Sequence, residues 1–222
     1  MDGLAAVLFD MDGTLLDSER LWDAALYALA AHHGGALSEA ARQAMVGRDS
    51  HETMAVFYRD IGLAEPDRAA DNAFISARMT ELFATDLAWR PGAAELVAEV
   101  RAAGLPAALV TTTRRRLVEV ALDSLLGRDS FHAVVCGDDV TRPKPHPEPY
   151  LTAAARLGAP IARCVAIEDS PTGVASARAA GAIVLGVAGE VALPAADGVH
   201  LVPSLAGVDL PYLAKLRAAR SR

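Results

Sequence analysis

The sequence predicts an α/β fold, a doubly wound parallel sheet with a helical module inserted in it. Three observations carry that reading. Short apolar runs recur along the chain, and helical stretches separate the later ones. Glycines stop those helices before the next run, in "AGLP" at 103–106, "LGAP" at 157–160 and "AAGA" at 179–182. Between Asp10 and Pro106 there is no β-like run at all, only helical periodicity.

The elements follow in order. β-like runs cover Ala5–Asp10, Pro106–Thr111, Ala133–Cys136, Cys164–Glu168 and Ala182–Val187, with a weaker one at Val199–Val202. Helical stretches cover Ala93–Ala103, Arg115–Leu126, Glu148–Leu157 and Gly173–Ala180. The inserted module, residues 16–88, holds four amphipathic segments: Glu19–His33, Ser38–Val46, Ser50–Ile61 and Asp67–Thr85. Ser38 and Asp67 are placed to cap two of them. Linkers are expected at Leu15–Ser18 and Leu87–Gly92, so the α/β core comprises residues 1–15 and 89–222. The C-terminal Lys215, Arg217, Arg220 and Arg222 belong to a basic surface helix.

Composition narrows the function. The 222 residues are 52% hydrophobic and 22% charged, ordinary for a globular protein. A net charge of −7 argues against a general nucleic-acid binder, which is usually basic. No apolar run approaches the roughly 20 residues of a membrane span. Residues 1–9 lack the basic region and cleavage site of a signal peptide, so a cytoplasmic location is expected. Cys136 and Cys164 lie in apolar strand-like runs and read as buried thiols. The histidines form no zinc pattern, and His32 and His33 fall to packing or solvent.

Ligands of open α/β sheets bind at the carboxyl ends of strands. Four such ends carry chemistry here: "DMDGT" after the first strand, "VTTT" at the second, "RPKPHP" after the third and "IEDSPTG" at the fourth. Asp10 and Asp12 are two residues apart, so in an extended chain both face one reaction centre, and Gly13 lets the chain turn away. Asp169 from another strand would complete a carboxylate cluster. A hard cation makes such a cluster tolerable, and Mg²⁺ suits one or two carboxylates together with a phosphate. Lys144, fixed among prolines 143, 145, 147 and 149, supplies opposite charge, and Thr111 a hydroxyl donor. These are the parts for phosphoryl transfer through an aspartyl-phosphate. One aspartate attacks phosphorus. The other, kept partly protonated by its neighbour, hands a proton to the leaving oxygen and later activates water.

"DMDGTLLDSE", the Thr111 strand end, Lys144 in "KPHPEPY" and "EDSPTG" resemble, in order and spacing, the four motifs of the haloacid dehalogenase-like hydrolases. The resemblance covers essentially the whole chain. It implies a Rossmann-like core with the insertion as an α-helical cap. It makes Asp10 the nucleophile and Asp12 the general acid/base. Mg²⁺ would be held by Asp10, the backbone carbonyl of Asp12 and Asp169, with Glu168 close by. Thr111 and Lys144 would hold phosphoryl oxygens, with Thr112 beside them, although Thr112 and Thr113 also read as strand-end hydrogen bonders. The implied sheet order, 5-4-1-2-3, puts Cys136 and Cys164 three strand spacings apart, roughly 14 Å, beyond the reach of a disulfide.

Within the family, "DSERLW" is similar to small sugar-phosphate phosphatases. The alternative is a phosphosugar mutase of the beta-phosphoglucomutase type. Those mutases place a histidine near Trp22 and an arginine near Ser50, which this chain lacks. Glu19, Trp22, Arg48 and Arg114 are candidate substrate contacts, and Arg115 and Arg116 stand beside the last of these. A receiver-like signalling module would be about half this length and lack the insertion. The family's dehalogenases lack a second aspartate equivalent to Asp12. The expected partner is therefore a small phosphorylated metabolite, with no nucleic acid and no membrane, and the chain is a monomer by default.

Overall fold

A computed structural model describes residues 3–46, 50–196 and 198–219. The chain divides into two compact units, Met1–Asp17 with Leu87–Arg222, and Ser18–Asp86.

The first unit is built on a parallel sheet. Its strands are β1 (Ala6–Phe9), β2 (Ala107–Val110), β3 (Ala133–Val135), β4 (Cys164–Glu168), β5 (Ile183–Val187) and β6 (Val199–Val202). They lie in the order β3-β2-β1-β4-β5-β6, every pair parallel, so the expected order holds with the weak sixth strand added at one edge. β1, β2, β4 and β5 are buried at every residue, because helices cover both faces of a parallel sheet. That explains why these runs are continuously apolar instead of alternating. The register sets Phe9 beside both Leu109 and Ile167, which brings the carboxyl ends of β1, β2 and β4 level. Strand order reverses at β1, where successive connections leave on opposite sides. The core includes Leu8, Val110, Ala166 and Val184 from the sheet, with Tyr150, Val174 and Ala177 from the helices.

The helices of this unit are Ala93–Ala102, Arg115–Ala121, Glu148–Arg156, Pro171–Ala180 and Leu210–Ala219. Two differ from the sequence reading. The helix expected over Arg115–Leu126 is α-helical only to Ala121, and Leu122–Leu126 winds as a π-turn that ends at Gly127. The helix expected from Gly173 begins at Pro171, because the Ser170 hydroxyl accepts the Gly173 N–H and proline suits the first turn. Cys136 and Cys164 are both buried and unbridged, and three strand spacings separate β3 from β4.

The second unit is helical: Glu19–His32, Glu39–Met45, Ser50–Asp60 and Arg68–Thr85. Both expected caps form. The Ser38 hydroxyl accepts from Ala41 N–H (3.1 Å), and Asp67 accepts from Ala69 and Ala70 N–H. Ser38 also donates through its backbone N–H and its hydroxyl to Asp60, which lowers that carboxyl's pKa and ties one helix end to the next. Leu26, Leu29, Phe57 and Tyr58 centre its core. His32 packs on the Phe74 ring, and His33 makes a polar contact with the buried Asp71 at 2.8 Å, so one histidine packs and the other pairs with a carboxylate.

Candidate active site

The turn after β1 is held by its own backbone. Asp10 N–H donates to Ile167 C=O of β4, and Leu15 and Leu16 N–H both return to Met11 C=O. Gly13 adopts φ +76°, a left-handed conformation that favours glycine. Space makes the same demand. A Cβ on Gly13 would sit 2.2 Å from Asp169 Oδ2, and one on Gly189 would sit 2.7 Å from it. The two glycines thus let backbone close on the Asp169 carboxylate. Thr14, fully buried, donates its hydroxyl to Asp169 Oδ1 at 2.8 Å.

Asp10, Glu168 and Asp169 are all buried, and each offers an oxygen within 4.8 Å of the others'. The Lys144 ammonium enters from the loop after β3. It donates to Asp10 Oδ1 (2.6 Å), Glu168 Oε1 (2.6 Å) and Val110 C=O (2.9 Å). Burial alone pushes that ammonium's pKa down, but the charges of Asp10 and Glu168 outweigh it and hold Lys144 protonated. Burial, with Asp10 alongside, pushes the Glu168 carboxyl up to about 7 against the opposing pull of Lys144.

Tyr150 completes this network. Its hydroxyl donates to Glu168 Oε1 at 2.5 Å, its ring centroid lies 5.2 Å from Lys144 Nζ, and it is fully buried. Burial and the neighbouring Glu168 charge raise the phenol well above its ordinary pKa, so it stays a donor. The lysine loop is itself stapled. Glu148 accepts from Thr141 and Arg142 N–H, and Ser176 donates to His146 C=O (2.6 Å). The Lys144–Pro145 peptide is cis.

On the β2 side, Asp12 Oδ2 accepts from Thr111 Oγ1 (3.2 Å) and Thr113 Oγ1 (2.7 Å). The structure therefore gathers Asp10, Asp12, Thr111, Lys144, Glu168 and Asp169 at the level carboxyl ends of β1, β2 and β4. Thr112 is exposed. Arg114 is exposed and stands at the start of its helix, whereas Arg115 bonds Asp139 and Val134 C=O. The helix opening on arginines is satisfied by Asp138, whose carboxylate accepts the Arg115 N–H at 2.9 Å. Glu19 and the exposed Trp22 belong to the helical unit, and Arg48 lies outside the described residues.

Thr14, Thr113 and Tyr150 were not assigned to the site by sequence reasoning. Thr14 stands inside "DMDGT" and Thr113 inside "VTTT", but which hydroxyl meets which carboxylate depends on strand neighbours. Tyr150 occupies the first turn of an amphipathic helix and looks like core until its hydroxyl is placed.

The profile of the haloacid dehalogenase-like hydrolases matches residues 4–181. Protein CbbY of Rhodobacter capsulatus is 35% identical over 187 residues, covering 80% of this chain and 82% of that one. Hexitol phosphatase B of Escherichia coli (strain K12) is 33% identical over 180 residues, 80% of each chain. Among solved structures, a mutant CbbY from Rhodobacter sphaeroides in complex with xylulose-(1,5)bisphosphate is 30% identical. It has a TM-score of 0.81 and covers 95% of this chain and 99% of that one.

Proposed function

This chain belongs to the haloacid dehalogenase-like hydrolases and is an enzyme of their phosphatase type; from that premise we propose that it hydrolyses a small sugar phosphate, with Mg²⁺, through an aspartyl-phosphate on Asp10. The observation that carries the reading is the buried Asp10 carboxylate, ion-paired to a buried lysine at 2.6 Å inside a three-carboxylate cluster. The similarity to hexitol phosphatase B and to a CbbY that binds a sugar bisphosphate supports the substrate class.

The residues fit Mg²⁺. Three buried carboxylates carry more negative charge than the Lys144 ammonium balances, and oxygen donors are the set a hard cation takes. Asp10, Asp169 and the backbone carbonyl of Asp12 would hold the ion. Glu168 lies in the same cluster with Oε1 holding Lys144 and Tyr150. When bound, Mg²⁺ neutralises phosphoryl charge and polarises phosphorus toward attack.

The protein's own groups do the rest. Lys144 and Thr111 hold phosphoryl oxygens. An Asp10 carboxylate oxygen bonds to phosphorus as the ester P–O bond breaks, and Asp12 gives its proton to the departing oxygen. Asp12 then takes a proton from water as that water attacks phosphorus, which releases phosphate and restores Asp10. The same reading gives the helical unit, residues 16–88, the substrate-selecting role.

The test is phosphate release across sugar phosphates, nucleotides and other phosphoesters, with Mg²⁺ or chelator, beside Asp10→Asn. Release that needs Mg²⁺ and is lost in the variant is expected. Interconversion of hexose phosphates without release would overturn hydrolysis in favour of the mutase.

A further inference from the structure

We infer that Thr113 is a positioning residue for the acid/base carboxyl of Asp12, an inference that rests on the phosphatase reading above. Thr113 Oγ1 donates to Asp12 Oδ2 at 2.7 Å, the shorter of the two threonine bonds to that oxygen. In the sequence it stands third in a row of hydroxyls, with nothing to set it apart from Thr112.

The main chain aims this hydroxyl independently of the side chain. Thr113 N–H donates to Thr111 Oγ1 (3.0 Å), and Thr113 C=O accepts from Gly137 N–H (3.0 Å). Gly137 closes on the same turn, since a Cβ there would sit 2.1 Å from Thr112 C=O. The Thr111–Thr113 turn is thus pinned from within and from the loop after β3. A hydroxyl on so fixed a backbone restrains the carboxylate oxygen it binds.

The division of labour between the threonines follows from their donors. Each hydroxyl has one proton to donate. When Thr111 turns its proton to a phosphoryl oxygen, it gives up its bond to Asp12, and the Thr113 bond keeps the carboxyl in place. The Asp12 carboxyl held in this way carries the transferable proton of the proposed mechanism. That proton passes to the leaving oxygen as its bond to phosphorus breaks, and it returns from water in the second half-reaction.

The test uses leaving groups. kcat/KM reports steps through departure of the leaving group. An alkyl oxygen needs a proton to leave, whereas p-nitrophenolate does not. The substrates are the sugar phosphate turned over fastest in the panel and p-nitrophenyl phosphate. In Thr113→Val, kcat/KM on the sugar phosphate is expected to fall on the order of 10- to 100-fold, part of the roughly 10²–10⁴ a general acid contributes. On p-nitrophenyl phosphate it is expected to change little. Asp12→Asn gives the same pattern more strongly, and Thr113→Ser restores the sugar phosphate rate. Should Thr113→Val fold poorly by circular dichroism, Thr113→Ala carries the comparison. Equal losses on both substrates, or no loss on either, would overturn the inference while Asp12→Asn still discriminates. A wild-type chain that releases no phosphate, or an Asp10→Asn that still does, would instead sink the phosphatase reading.

Discussion

Lys144 shares its ammonium among Asp10, Glu168 and the Val110 carbonyl, with its side chain only 4% exposed. That charge makes two buried carboxylates tolerable. Removing one partner of a buried pair leaves the others uncompensated, which typically costs about 3–5 kcal/mol. Lys144→Ala is therefore expected to lower stability by about that amount, measured by urea denaturation without substrate, apart from its loss of activity. An unchanged midpoint would mean the carboxylates find other compensation. Asp10, Asp12, Lys144 and Asp169 were legible in the sequence because each sits in a short local pattern at a strand end. Thr14 and Tyr150 were not, because their partners Asp169 and Glu168 are distant in sequence and meet them only across the folded sheet.

The elements were legible to within a residue or two wherever periodicity and a stop signal agreed. The π-turn at Leu122–Leu126 escaped, since helical periodicity does not distinguish the two windings over one turn. The helix Pro171–Ala180 shows what an element contributes to the site. It begins at Pro171, after Glu168, Asp169 and the capping Ser170, so the acidic pair lies just before its positive end. Gly173 sits in its first turn, against the Glu168 carboxylate. Gly→Ala in a helix ordinarily stabilises by about 1 kcal/mol. Here a Cβ would lie 1.9–2.0 Å from Glu168 carboxyl atoms, a clash with a buried group that is already tied to Lys144 and Tyr150. Gly173→Ala is therefore expected to destabilise, with the sign read from thermal unfolding. A raised melting temperature would mean Glu168 can move aside at little cost.

Across the whole molecule, the sheet order β3-β2-β1-β4-β5-β6 ties the separate observations together. It levels three strand ends to make one site, and it keeps the two cysteines apart. Burial raises the Cys136 thiol to about 12 and the Cys164 thiol to about 11, so neither forms a thiolate near neutral pH. Both are expected to resist iodoacetamide in the folded protein and to label fully in guanidinium, by mass spectrometry. Fast labelling in the native state would contradict the buried placement. Among the described residues no helix is long and apolar enough to cross a membrane. The elements of the helical unit were legible from their periodicity and from the Ser38 and Asp67 caps. The central claim is that Asp10 carries the phosphoryl group in turnover. The most direct measurement is acid quench of the Mg²⁺-loaded enzyme during turnover of its fastest sugar phosphate, followed by peptide mass spectrometry. The expected result is one added phosphoryl group on Asp10, absent in Asp10→Asn. Turnover without that label at any quench time, or a label on another residue, would contradict it.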